Sequence, residues 1–173
     1  MNRSHLLVLL FVWIVGVVLG LNYESVFPSL NDTSVFNAKL EMKPVFGMQP
    51  NAWGFFINNL MVGMVIVVSG WLSAGSLSCI ISFWNAFIMG VLLNSAKAMG
   101  LTYSLIAHKI IWHGSFEIIG LIIFGAIGLK GFHIIQTILS EKPLRIPFRK
   151  IFSHAVLATT LLFIAAIIEN IVI

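Results

Sequence analysis

PVFGMQPNAWGFFINNLMVGMVIVVSGWLSAGSLSCIISFWNAFIMGVLLNSA, residues 44–96, runs for 53 residues without a formal charge. A helix crosses the hydrocarbon core of a bilayer in about 20 apolar residues, so this stretch is too long for one span and long enough for two. The turn between them is expected over Gly70–Ser78, where Gly70, Ser73, Gly75, Ser76 and Ser78 cluster and lower helix propensity. Upstream, Leu6–Leu21 is uncharged and preceded by Arg3 and His5. No A-x-A-like cleavage site follows it, so it is read as an uncleaved first span. Downstream, Ile110–Leu129 forms a fourth span interrupted by His113 and Glu117, and Ile151–Ile168 a fifth whose sole titratable residue is His154.

Composition agrees. Of 173 residues 59% are hydrophobic and 9% charged, against about 25% charged in soluble domains. With a mean hydropathy of +1.02, too few polar side chains are present to cover a globule in water. A soluble enzyme, a disordered chain and a nucleic-acid-binding chain are excluded. The expected fold is all-α: a polytopic transmembrane helical bundle of about five spans, forming a single membrane domain over residues 1–173. The spans fall near 6–22, 54–70, 79–95, 110–129 and 151–169, with an outer loop at 22–53 and a basic inner loop at 130–150.

Lysine and arginine favour the cytoplasmic side of a membrane. Five spans with a cytoplasmic N-terminus put Arg3, Lys130, Lys142, Arg145, Arg149 and Lys150 inside, and Lys39, Lys43, Lys97 and Lys109 outside, six against four. Were residues 44–96 to hold a single span, the later loops would change sides and leave three inside against seven. Five spans, N-terminus cytoplasmic and C-terminus extracytoplasmic, fit better. All five prolines fall in the two long loops, so the spans are expected to be free of proline kinks. The single cysteine, Cys79, has no mate in the chain and reads as a buried thiol. In the inner loop Phe132, Ile135 and Leu139, with Ile134 and Ile138 beside them, form an apolar stripe followed by Lys142, Arg145, Arg149 and Lys150. Two readings stand: an interfacial helix with a basic tail facing anionic lipid, or a fourth helix that runs past the membrane before a positive-inside loop.

An ionisable group at membrane depth costs about 2.5–3.5 kcal/mol on insertion scales, so each needs a reason. Glu117 lies eight residues into the fourth span, and His113, four residues earlier, shares its helical face. The two side chains can share a hydrogen bond, while Gly114 lets a neighbouring helix come close. Asn58 and Asn59 near the start of the second span, and Asn85 within the third, are candidate partners, because amides both donate and accept. Asn94 lies near the outer end of the third span, and Glu169 and Asn170 are expected at the outer interface. The intramembrane polar cluster of Asn58, Asn59, Asn85, His113, Gly114 and Glu117 has two readings: a proton-linked or ligand-binding site, or, more often in membrane bundles, a polar clasp between helices. Gly16-x-x-x-Gly20 in the first span has the spacing that lets helices meet backbone to backbone. Gly90, Gly120, Gly125, Ala126 and Gly128 offer further small-residue faces, expected to serve intramolecular packing, with oligomerisation left open.

Enzyme templates fail. No H-E-x-x-H is present, His113 and Glu117 supply two metal ligands at most, and His108 points about 140° away from His113 on a helix. Ser73 and Ser76 lack a G-x-S-x-G elbow, and no Walker A motif occurs. No enzymatic activity, cofactor or metal is expected.

Asn58-Asn59, Asn85 with Gly90 five residues on, His113-Gly114-x-x-Glu117, and Gly125-Ala126-x-Gly128 together resemble the stage II sporulation protein M family. The resemblance covers roughly Trp53–Gly131, and its most specific element is the short His-Gly-x-x-Glu. Ala86 departs from the pattern, since relatives are expected to carry Gly after the Asn, which puts the tight packing there in question. The resemblance implies a bacterial, multi-pass plasma-membrane protein without enzymatic activity. It also implies partners: the family's namesake anchors peptidoglycan-degrading hydrolases during engulfment, and other relatives accompany ABC-type exporters or circular-bacteriocin production and immunity. A scaffold or accessory subunit is the first expectation, and a permease-like subunit that meets an ATPase through residues 130–150 is the second.

Overall fold

The computed structural model describes residues 3–23, 51–98, 100, 102–141, 143 and 146–172. The outer loop expected at 22–53 lies almost wholly outside them, as do Lys142 and Arg145 of the inner loop. The regular structure of the described residues is entirely helical: α1 Arg3–Leu21, α2 Ala52–Leu72, α3 Ser76–Ala98, α4 Tyr103–Gly128, α5 Lys130–Leu139 and α6 Phe148–Val172. Five segments are long and apolar enough to cross a membrane: α1, α2, α3, α6 and Gly114–Leu139 of the α4–α5 run. The helices extend beyond the expected spans, α4 by seven residues before Ile110, because polar residues such as Tyr103 and Ser104 continue the helix past its apolar part.

A single tight turn over Ser73–Gly75 divides the long uncharged run, within the stretch where it was expected. Ser73 ends α2 with its N–H on the Ser69 carbonyl at 3.0 Å, and the Gly75 N–H returns to the Gly70 carbonyl at 2.7 Å. Ala74 (φ 54°) and Gly75 (φ 88°) are both left-handed, a conformation natural to glycine and less so to alanine. Ser73 then restarts the chain, its Oγ accepting from the Leu77 N–H at 3.0 Å at the start of α3.

Helices adjacent in sequence are not the principal partners. α1 packs most extensively on α3, and α4 on α6, while α2 bridges α4, α6 and α3. In the α1–α3 pair Gly16 faces Ala86 and Gly20 faces Gly90, a register that makes the two helices parallel. A Cβ on Gly20 would overlap the Phe87 carbonyl oxygen, and one on Gly90 would overlap that of Val17. The approach is therefore backbone to backbone. Ala86 does not loosen it: its methyl is fully buried, and a Cβ on Gly16 would stand 2.7 Å from it.

α4 is the central helix. Leu121, Ile123, Phe124, Gly125, Ala126, Ile127 and Gly128 are all buried, with Phe124 against Gly63 of α2 and Gly120 against Leu162 of α6. At one end of the bundle four helices meet. The Ser78 hydroxyl donates to the Ile66 carbonyl at 2.8 Å, Trp71 Nε1 donates to the Ile127 carbonyl at 3.0 Å, and Gly70 lies against Gly128 and Gly131. At Leu129 the helical ladder tightens: Leu129 keeps right-handed backbone (φ −61°, ψ −16°) with its N–H on the Gly125 carbonyl, Phe132 N–H closes a shorter loop to Leu129, and α5 begins.

Candidate functional site

The opposite end of the bundle, where α2 starts and α6 ends, gathers polar side chains. The first turn of α2 carries backbone N–H groups with no helical acceptor, and two side chains supply one. Asn51 Oδ1 accepts from the Gly54 N–H at 2.8 Å as an N-cap, and Asn170 Oδ1 of α6 accepts from the Ala52 N–H at 3.1 Å. Aromatic rings carry the same α2–α6 contact deeper. Phe56, buried, meets Phe163 edge-on at 5.3 Å between centroids and Trp53 at 5.5 Å.

Deeper still lie Asn58 and Asn59, both half-buried. Asn58 Nδ2 donates to Asn59 Oδ1 at 3.4 Å, while Asn58 Oδ1 is buried without a hydrogen-bond partner among the described residues. One turn back from the Gly63–Phe124 contact brings Asn59 of α2 level with Gly120 of α4. Glu117 is half-buried and within electrostatic reach of Glu169 on α6. Gly114 is buried on α4. His113 occupies the α4 backbone one turn from Glu117, on the same helical face, and its side chain lies outside the described residues.

The six residues grouped from the sequence are thus divided. Asn58, Asn59, His113, Gly114 and Glu117 belong to the α2–α4 half of the bundle. Asn85 sits on α3, where its Nδ2 donates to the Ile81 carbonyl of its own helix at 2.8 Å. One of its amide N–H groups is thus engaged within α3 itself. Two residues of the site escaped the sequence reading: Glu169, taken only as an interface residue, is a second carboxylate close to Glu117, and Asn170 ties α6 to α2. The packing of α6 on α4 and α2, visible only in three dimensions, brings Glu169 within electrostatic reach of Glu117 and Asn170 onto the start of α2.

Carboxylates on α4 and α6 and amides on α2 lie towards this end of the bundle, and the Asn170–Ala52 bond ties α6 to α2 there. No group of three or more His, Cys, Asp or Glu among the described residues is arranged to hold a metal ion. The family described as stage II sporulation protein M matches residues 6–172, from the start of α1 to the end of α6. The chain belongs to this family. Membership in the stage II sporulation protein M family thus extends over all six helices, well beyond the Trp53–Gly131 segment whose motifs resemble it. No curated protein and no solved structure shows significant similarity to the chain.

The small residues of the motif region serve helix contacts within the chain. Gly125 lies against Leu9 of α1 and Ser82 of α3, and Gly128 against Ser78 and the Ile66 carbonyl. Of the basic residues in the inner loop, Arg149 and Lys150 are exposed at the start of α6.

Proposed function

We propose that the chain is a non-enzymatic, multi-pass protein of the bacterial plasma membrane that acts as a scaffold or accessory subunit of a membrane complex. Its N-terminus is cytoplasmic and its C-terminus extracytoplasmic, in keeping with the six-to-four balance of Lys and Arg. One observation carries the reading: polar side chains bind the backbones of neighbouring helices at both ends of the bundle. Ser78 holds Ile66, Trp71 holds Ile127 and Asn170 holds Ala52. Bonds of this kind select one helix arrangement and stiffen it, which suits a platform on which other proteins assemble. Wall hydrolases and other envelope proteins are the partners that the family resemblance favours.

The approach of Glu117 to Glu169 favours a second reading, a permease-like subunit of an ABC-type export or bacteriocin production and immunity system. An ionisable pair at membrane depth is costly and is retained where a polar path is used. Affinity purification of the full chain from mild detergent, with identification of co-purifying proteins, separates the two. Envelope proteins without an ATPase are expected. Stoichiometric recovery of an ABC ATPase would replace the scaffold by the permease reading.

A further inference from the structure

α5 differs in kind from the other helices. The five long helices are apolar on nearly every face, whereas α5 segregates its residues sharply. Gly131, Phe132, Ile134, Ile135, Ile138 and Leu139 fall within an arc of about 160° at 3.6 residues per turn. Lys130, His133, Gln136 and Thr137 occupy the rest of the circumference. Gly131 lies on Gly70 and Trp71 at the end of α2, and Ile134 and Ile135 are half-buried. The rest of the arc is open: Phe132 is 61% exposed, Ile138 58% and Leu139 79%.

The level of the helix is set by its neighbours. Gly75, in the α2–α3 turn, lies against Leu129, and Ser78, near the start of α3, lies against Gly128. The α2–α3 turn and the α4–α5 junction therefore share one level, at the end of the bundle. α4 alone, 26 residues and about 39 Å long at 1.5 Å per residue, already exceeds the hydrocarbon core. α5 starts where α2 and α3 turn back.

Charge complements this position. From Lys130 to His154 the sequence carries Lys130, Lys142, Arg145, Arg149 and Lys150 against the single acid Glu141. Arg149 and Lys150 stand exposed at the start of α6, beside exposed Phe148 and Phe152. A helix with one apolar face and a polar face, at the end of a membrane bundle and flanked by cations and exposed aromatic rings, has the features of an element lying in the plane of a negatively charged interface.

We propose that α5 is an interfacial helix that lies along an anionic lipid surface, its apolar arc at the acyl boundary and the neighbouring basic residues on lipid phosphates. The assignment is independent of which complex the bundle joins. It favours the first of the two readings of the inner loop, because α5 starts level with the α2–α3 turn and most of its apolar arc is left open.

The test uses the full chain in a Cys79→Ser background, with Ile138→Cys or Gln136→Cys carrying a nitroxide, reconstituted in phosphatidylcholine vesicles with and without phosphatidylglycerol. Collision with oxygen reports lipid, and collision with a water-soluble nickel chelate reports water. With phosphatidylglycerol, the label at 138 should favour oxygen several-fold and the label at 136 should favour nickel. Omitting phosphatidylglycerol, raising salt, or combining Arg149→Gln with Lys150→Gln should each reduce the preference at 138 at least twofold. Should the label at 138 unfold the bundle, as judged by thermal melting, the more exposed Leu139→Cys takes its place. Nickel access at both positions in both lipids would overturn the proposal and mark the helix as projecting into water towards a protein partner. Oxygen access at both positions would make α5 a continuation of the span. A preference at 138 that ignores lipid charge would equally overturn it.

Discussion

Ser78 and Ser82 stand one turn apart on α3, both with almost no exposure, and differ in a single respect. Ser78 donates to the Ile66 carbonyl, whereas Ser82 Oγ is buried with no partner among the described residues. A buried hydroxyl without a partner loses its hydration for nothing, so the two alanine substitutions should differ in sign. Ser78→Ala should cost about 1 kcal/mol and lower the melting temperature in detergent, while Ser82→Ala should be neutral or stabilise by up to about 1 kcal/mol. Equal losses would show that Ser82 is bonded. At Glu117 the proposed clasp makes a different demand. Glu117→Gln keeps the shape and the hydrogen-bonding atoms and should leave the melting temperature nearly unchanged, whereas Glu117→Ala should cost about 1–2 kcal/mol. A Glu117→Gln protein that is folded and abundant but inactive in vivo would instead support a proton-linked path. His113→Ala and Glu117→Ala together should cost less than the sum of the single losses, because residues one turn apart in one network are not additive. That both lie on one face of α4 was legible from their spacing of four. The place of Glu169 beside Glu117 was not, since 52 residues separate them and only the packing of α6 on α4 joins them.

At the scale of the helices, the sequence marked where chains turn better than which helices touch. The Ser73–Gly75 turn was legible because Gly and Ser weaken a helix whatever surrounds them. Gly16 and Gly20 announced a close contact, but a small-residue stripe carries no address, and its partner is Ala86–Gly90 of α3, not the next helix in the chain. The same geometry ranks substitutions. Gly20→Val and Gly90→Val each drive a branched side chain into a facing backbone carbonyl, which cannot turn aside. Each should cost at least about 3 kcal/mol and separate α1 from α3, measured as lost protection of α1 from protease or as lost crosslinking between the two helices. Gly63→Ala meets the ring of Phe124 instead, a side chain able to shift, and should cost no more than about 1–3 kcal/mol. If all three were equal, side-chain crowding rather than backbone contact would hold the α1–α3 pair.

Over the whole molecule, orientation rests on the distribution of Lys and Arg, and reporters test it directly. A reporter after Asn31 should be found outside and one within Ser140–Lys142 inside, and the reverse would overturn the assigned orientation. Five apolar helices were legible because lipid demands continuous hydrogen-bonded segments of fixed length. The central place of α4 was not, because hydrophobicity alone does not distinguish a face towards lipid from a face towards another helix. The pairing of α1 with α3 has a further consequence, in time. Gly20 and Gly90 are 70 residues apart, so at the usual 5–20 residues per second α1 emerges about 4–14 s before its binding surface exists. During that interval its glycine face is open to other transmembrane helices, including nascent copies of itself. Synthesis therefore includes a waiting period that the finished bundle conceals, and a ribosome that stalls before α3 would release a lone helix whose most adhesive surface is bare.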